Sequence, residues 1–164
     1  MNWIAISTIA KKEARSHVQN LWLPIAALLL LLLNLGLAKI GFSFVGSDGE
    51  IDTRATLLSL IHLQMYLVPL LAFILSYGGI LAERELGTFD LLLSYPLGYR
   101  DILLGKWLGY SGIFALALLI GMGSASPFLR QVGISWAGIG QLGALALLLG
   151  VVFNSLGLLL STLS

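Results

Sequence analysis

Four long stretches with almost no charge constrain this chain more than any other feature; they lie at about 21–38, 57–82, 102–125 and 136–163. Each is close to or above the roughly 20 helical residues that cross about 30 Å of hydrocarbon. Continuous apolar runs such as "AALLLLLLNLGLA" are not the alternating strands of a membrane barrel, and lipid leaves an open sheet without hydrogen-bond partners. The sequence therefore predicts an all-α, polytopic transmembrane helix bundle.

The nine basic residues are divided unevenly between the two ends of these spans. Six precede the first span or lie between the second and third: Lys11, Lys12, Arg15, Arg84, Arg100 and Lys106. Three flank the other loops: Lys39, Arg54 and Arg130. Because basic residues concentrate on the cytoplasmic side of membrane proteins, the N-terminus and the loop 83–101 are predicted to be cytoplasmic.

The first twenty residues differ from the rest, and we divide the chain into a segment 1–20 and a transmembrane domain 21–164. Trp3, Ile6, Ile9 and Ala10 recur at helical spacing, with basic residues largely on the other faces. This pattern predicts an amphipathic helix at the membrane interface. A short solvated helix is the alternative, because the apolar stripe covers only two to three turns.

Span two carries a polar stripe near its outer end, formed by Ser59, His62 and Tyr66. We expect it to face other helices or a cavity, which makes these residues candidates for a transport pathway. His62 and Met65 could form a soft-metal pair, but a hydrogen-bonded histidine is favoured because two ligands without cysteine make a poor copper site. Neither a metal nor another cofactor is expected. Pro69, which removes a helical hydrogen bond, predicts a kink.

Two glycine patterns resemble nucleotide-binding motifs but lack the neighbouring elements or the spacing that such motifs require. Residues 138–143 read GxGxxG but open an uncharged span, with no preceding strand; residues 98–107 have the wrong spacing for a phosphate loop. Close helix packing is the better interpretation of 138–143, as of Gly105 and Gly109. Since no catalytic constellation appears in the spans, the chain is not predicted to be an enzyme, and no nucleic-acid partner is indicated.

The run 83–106, which begins with the loop 83–101, contains seven of the seventeen charged residues. Its residues predict a short helix between two membrane spans: Glu83, Arg84 and Glu85 leave the lipid, Gly87 breaks the helix, Thr88 caps a new one, Asp90 complements its dipole, and Pro96 ends it. That helix is mostly apolar, through Phe89, Leu91 and Leu92 among others, and must bury its surface under the bundle or in a soluble partner. An ordinary interfacial linker is the alternative.

At the end of this loop Asp101 is expected to cap span three. Lys106, one turn further, is expected to extend its ammonium group to the membrane surface, because a lysine in mid-membrane costs about 3 kcal/mol.

The loop resembles the one between the second and third spans of ABC-2 type transporter permeases. The residues that carry the resemblance are Glu83, Arg84, Glu85, Gly87, Thr88, Leu91, Leu92, Pro96, Gly105 and Lys106. It implies a coupling helix, Phe89 to Tyr95, that docks on a separate ABC ATPase subunit, with ATP hydrolysis confined to that subunit. It also implies a second permease copy, in most cases as a homodimer, in a bacterial inner membrane.

Within that family, "LLLSYPLGYRDILLGKWLGY" and "ALALLIGMG" are most similar to permeases of the nitrous-oxide reductase maturation transporter. This resemblance implies a role in assembling a copper enzyme, with an extracytoplasmic accessory protein as a further partner. Such permeases have six spans, so we expect this chain to be the N-terminal portion of a longer one.

Two rival functions remain open from the residues. A membrane scaffold would hold other subunits without moving cargo, and any soluble linker could then replace the predicted helix. A secondary transporter would be expected to show a charged or unwound site within a span, yet the central spans carry no carboxylate.

Overall fold

A computed structural model describes residues 3–19, 21–43, 53–85, 87 and 98–163. These ranges contain five α-helices and no strand: α1 (Trp3–Gln19), α2 (Trp22–Ser43), α3 (Thr53–Glu85), α4 (Tyr99–Gln131) and α5 (Trp136–Leu163). The last four are long and apolar enough to cross a membrane. The predicted all-α helix bundle with an N-terminal helix is therefore confirmed.

Helices α3 and α4 extend beyond the apolar stretches that predicted them. α3 begins at Thr53 and ends at Glu85, while α4 runs from Tyr99 to Gln131, each with 33 residues. At about 1.5 Å per residue, such a helix is roughly 50 Å long, well above the thickness of the hydrocarbon core. Charged residues mark where a helix leaves lipid, and backbone hydrogen bonding continues past them.

The helix starts depend on local chemistry. Pro24 lies in the first turn of α2, as expected, where its missing N–H leaves no bond unmade. α5 begins at Trp136, as predicted, after Ser135, whose hydroxyl oxygen accepts the backbone N–H of Gly138 at 3.1 Å. The predicted cap of α4 is wrong: the extended residue Gly98 precedes the helix, and Asp101 lies inside its first turn.

Helix α4 is the centre of the bundle. Its first half packs on α1, its second half on α2, and it also contacts α5, which packs most extensively on α3. The core contains large buried side chains from four of the helices: Leu30, Leu60, Val68, Tyr110, Ile113, Phe114, Leu118, Leu129 and Leu142. Many other leucines are exposed on the surface of the bundle, as expected for helices that face lipid.

A few hydrogen bonds between polar side chains, several of them buried, link the spans. The Gln64 side-chain amide donates to the Asn34 side-chain oxygen at 3.3 Å, which joins α3 to α2. The Asn154 amide donates to the Ser111 hydroxyl at 2.8 Å, and the Trp107 indole N–H donates to the Ser155 hydroxyl at 2.9 Å. The last two bonds join the first half of α4 to α5.

α3 runs through Pro69 as one helix. Because proline has no N–H, the hydrogen bond that would reach the carbonyl of Met65 is missing at this point.

Candidate functional site at the junction of α1 and α4

A buried ion pair joins α1 to the first half of α4. The Lys106 ammonium nitrogen lies 2.9 Å from Oε1 of Glu13, and the two residues are only 1% and 6% exposed. The Tyr110 hydroxyl donates to the other carboxylate oxygen at 3.2 Å. Because both oxygens have partners, the desolvation of the carboxylate is offset by charge-assisted hydrogen bonds.

Two glycines allow α1 to approach α4 closely enough for this pairing. A Cβ built on Gly105 would lie 2.7 Å from Ile9 Cβ, and one built on Gly109 would lie 2.8 Å from Glu13 Cβ. Both distances are shorter than ordinary van der Waals contact. The close helix packing predicted for Gly105 and Gly109 is confirmed, with α1 as the partner helix. We call Glu13, Gly105, Lys106, Gly109 and Tyr110 the α1–α4 joint.

The expected position of Lys106 is wrong. Its side chain does not reach the surface but is buried against α1. Glu13, its partner, is 93 residues away in the sequence, so local spacing could not reveal the pair. Glu13 does share a helical face with Ile6 and Ile9, and all three are buried. A carboxylate on the apolar face of one helix and a lysine within an apolar span are each costly to bury without a partner. Their presence in the same chain could therefore have indicated that the two side chains form a pair.

His17 lies at the edge of the joint. Its ring is 5.1 Å from the Tyr110 ring, edge to face, and its buried Nδ1 has no hydrogen-bond partner among the described residues. Burial lowers the pKa of His17 below the ordinary 6.5; Glu13 acts in the opposite direction and Lys106 adds to the lowering. The imidazole is therefore held in its neutral form near pH 7.

The predicted coupling residues lie at the end of α3 and between α3 and α4, shortly before the four residues that α4 contributes to the joint. Glu83, Arg84 and Glu85 form the last turn of α3, and Gly87 has the left-handed φ of +67° that suits a helix break. The others lie outside the described residues: Thr88, Phe89, Asp90, Leu91, Leu92, Tyr95 and Pro96. A coupling helix at these positions stays a prediction.

The predicted pathway residues lie on one exposed face of α3. Ser59 and His62 bond to backbone carbonyls of their own helix, through Ser59 Oγ to Ala55 O at 2.9 Å and His62 Nδ1 to Leu58 O at 2.7 Å. Tyr66 is 78% exposed. None of the other described helices covers these three side chains, so their role in a pathway stays a prediction.

The glycines at 138–143 do not pack against another helix, contrary to expectation: a Cβ built on Gly138 would meet only Ile134 and Ser135 of its own segment. Nothing beyond their own helix backbone and chain neighbours lies within 4 Å of a Cβ built on Gly140 or Gly143. Together with Gly123, Leu119 and Leu148 they line an apolar groove of about 650 Å³ between α4 and α5, which we call the α4–α5 groove. In the described residues no group of three or more acidic or histidine side chains could hold a metal ion.

Comparison with known proteins identifies clear relatives. A family model described as "ABC-2 family transporter protein" matches residues 7–164. The chain is 42% identical over 161 residues to the "Probable ABC transporter permease protein NosY" of Pseudomonas aeruginosa, covering 94% of this chain and 58% of the relative. It is 39% identical over 159 residues to the protein of the same name from Stutzerimonas stutzeri, covering 93% and 58%. The chain thus spans somewhat over half the length of the curated relatives it matches.

Proposed function

The chain belongs to the ABC-2 family of transporter proteins, and from that premise we propose that it is part of a permease subunit that couples ATP hydrolysis in a separate ATPase to transport. The observation that carries the proposal is the α1–α4 joint. It lies one to three turns into the helix that follows the predicted coupling segment 83–101. A force applied to that segment would enter α4 at the part that the buried ion pair fixes to α1.

The mechanical argument follows from the contacts of α4. Its first half is fixed to α1 by the buried ion pair and to α5 by the Trp107 and Asn154 hydrogen bonds. Closure of the ATPases would push the coupling helix and tilt α3 and α4 about Pro69 and the turn at Gly98. In this proposal α1 and the first half of α4 move as one body, with the N-terminus in the cytoplasm of a bacterial inner membrane.

The docking step is tested by co-purifying the full-length permease with the ATPase encoded beside it. Leu92→Asp places a carboxylate in the predicted apolar helix and is expected to release the ATPase. Tyr99→Asp is the matched control, because it adds the same charge at an exposed residue just past the predicted coupling helix, Phe89 to Tyr95. Retention by both variants would contradict docking through Leu92. If not even the wild type retains an ATPase, the scaffold function becomes the better account.

For the cargo, we propose a role in the assembly of a copper enzyme, as an exporter of a sulfur species or by remodelling an extracytoplasmic partner. The resemblance to nitrous-oxide reductase maturation permeases supports this proposal, as do the two relatives. The permease would act as a homodimer. The test is the copper content of nitrous-oxide reductase purified from a strain that lacks the permease, with and without the restored gene. Equal copper in both would contradict the proposal.

A further inference from the structure

The outward face of α1 carries a cluster of basic side chains. Lys11, Lys12 and Arg15 are all exposed and, with Ser16 and Gln19, line a shallow recess of about 390 Å³. Lys11 and Arg15 are four residues apart, so their side chains lie one above the other on the helix. Among the residues that the structure describes, none that lines this recess is acidic.

The packing of α1 fixes the direction in which this cluster points. The opposite face of the helix holds Ile6, Ile9 and Glu13, which are buried, with α4 as their main contact. α1 therefore cannot rotate its basic side chains toward the bundle without breaking the Glu13–Lys106 pair. Lys12 lies 3.8 Å from Glu13, at the edge of the cluster, whereas Lys11 and Arg15 lie further around the helix.

The position of α1 along the chain indicates which kind of molecule would bind in the basic recess. Only Asn20 and Leu21 separate the end of α1 from the start of α2, so α1 lies at the membrane surface. Trp3, Ile4 and Val18 are exposed around the basic cluster, which combines apolar and cationic side chains on one surface. Helices with this combination lie at the headgroup level of anionic lipids.

We infer that Lys11 and Arg15, with Ser16 and Gln19 beside them, form a binding site for the phosphate of an anionic phospholipid headgroup. The site holds α1 against the bilayer while the joint holds it against α4. It does not depend on the ATPase, so it can be tested separately from the proposed transport function.

The test uses native mass spectrometry of the full-length permease in mild detergent, titrated with phosphatidylglycerol and separately with phosphatidylcholine. Lys11→Gln/Arg15→Gln removes one lysine and one arginine from the recess. Lys39→Gln/Arg54→Gln removes the same two residue types from exposed positions at the other end of the bundle. Thermal unfolding of both variants checks that the fold is retained.

The expected result is a loss of phosphatidylglycerol affinity of about fivefold for each basic residue removed from the recess. Phosphatidylcholine binding should not change, and the Lys39/Arg54 variant should behave as wild type. An equal loss in both variants, or no loss in either, would overturn the site. Competition by excess inorganic phosphate would also overturn it in favour of a free anion. Unchanged lipid binding with loss of the co-purified ATPase would identify the recess as a protein contact instead.

Discussion

Both halves of α4 contain glycines, but the glycines of the two halves differ in what they contact. In the first half, α1 fills the space beside Gly105 and Gly109, and a buried ion pair joins the two helices there. In the second half, Gly121 packs closely on α2, where a built Cβ would lie 2.7 Å from Leu30 Cβ, whereas Gly123 lines an open apolar groove with Gly140 and Gly143 of α5. A small-residue pattern therefore permits close packing without requiring it. Complementary buried charges accompany the packing in one half and are absent from the groove lining in the other.

This difference has a consequence for movement. Charged groups in a low-dielectric interior are costly to separate, so the joint resists opening. The groove loses no hydrogen bond when its walls move, since its lining is made of leucines, alanines, glycines and other apolar residues. We therefore expect α4 to be held at its first half and to move relative to α5 at the groove.

The largest effect on the difference between the joint and the groove is expected from removing the ammonium group of the joint. Lys106→Met leaves the Glu13 carboxylate buried without its ammonium partner, and we expect a loss of about 3–5 kcal/mol in the free energy of unfolding. Thermal unfolding of the full-length permease in detergent measures the effect. The double variant Glu13→Gln/Lys106→Met removes both charges and should recover much of the loss. A single variant as stable as wild type would show that the pair does not hold the joint.

Replacing one glycine by alanine in the joint and one in the groove compares how closely the two regions are packed. Gly109→Ala puts a Cβ 2.8 Å from Glu13 Cβ and 3.0 Å from the Ala10 carbonyl oxygen, and we expect a destabilisation of about 1–3 kcal/mol. Gly143→Ala meets nothing within 4 Å and should stabilise its helix by up to about 1 kcal/mol. The two changes in melting temperature should have opposite signs. Equal changes would mean that the two regions are packed alike.

A smaller effect is expected from pH. The unfolded chain takes up a proton on His17 near pH 6.5, while the folded protein does so only at lower pH, because burial lowers the pKa of His17. Stability should thus fall as pH drops below about 6.5 and level off below the folded pKa. His17→Gln should reduce this loss, because the glutamine amide takes up no proton in this pH range. An identical pH profile for wild type and His17→Gln would contradict the placement of His17.

Much of the fold follows from composition, because uncharged stretches of this length have few alternatives in lipid. The start of α5 was also predictable, since Ser135 is a good cap. The ends of α3 and α4 were not, because hydrogen bonding continues beyond the apolar residues. The outer turns of α3 and α4 contain charged residues, and such residues predict a loop between two membrane spans.

The joint was only partly predictable, for a different reason. The glycines at 105 and 109 indicated close packing, but the partner helix and the Glu13–Lys106 pair depend on tertiary contacts across 93 residues. Lys106 was expected at the surface because a lone lysine avoids the membrane interior. A buried carboxylate from another helix reverses that expectation.

The most direct test of the account measures both halves of α4 in the same complex. The 164-residue sequence contains no cysteine, so introduced cysteines can carry spin labels at chosen positions along it. One pair spans the joint at the exposed residues Ser7 and Leu104; the other spans the groove at Leu119 and Leu148. Distances are measured by pulsed electron resonance in complexes with one labelled permease copy, without nucleotide and with ATP bound. The account predicts that the Leu119–Leu148 distance changes while the Ser7–Leu104 distance does not. A change across the joint as large as that across the groove would contradict it.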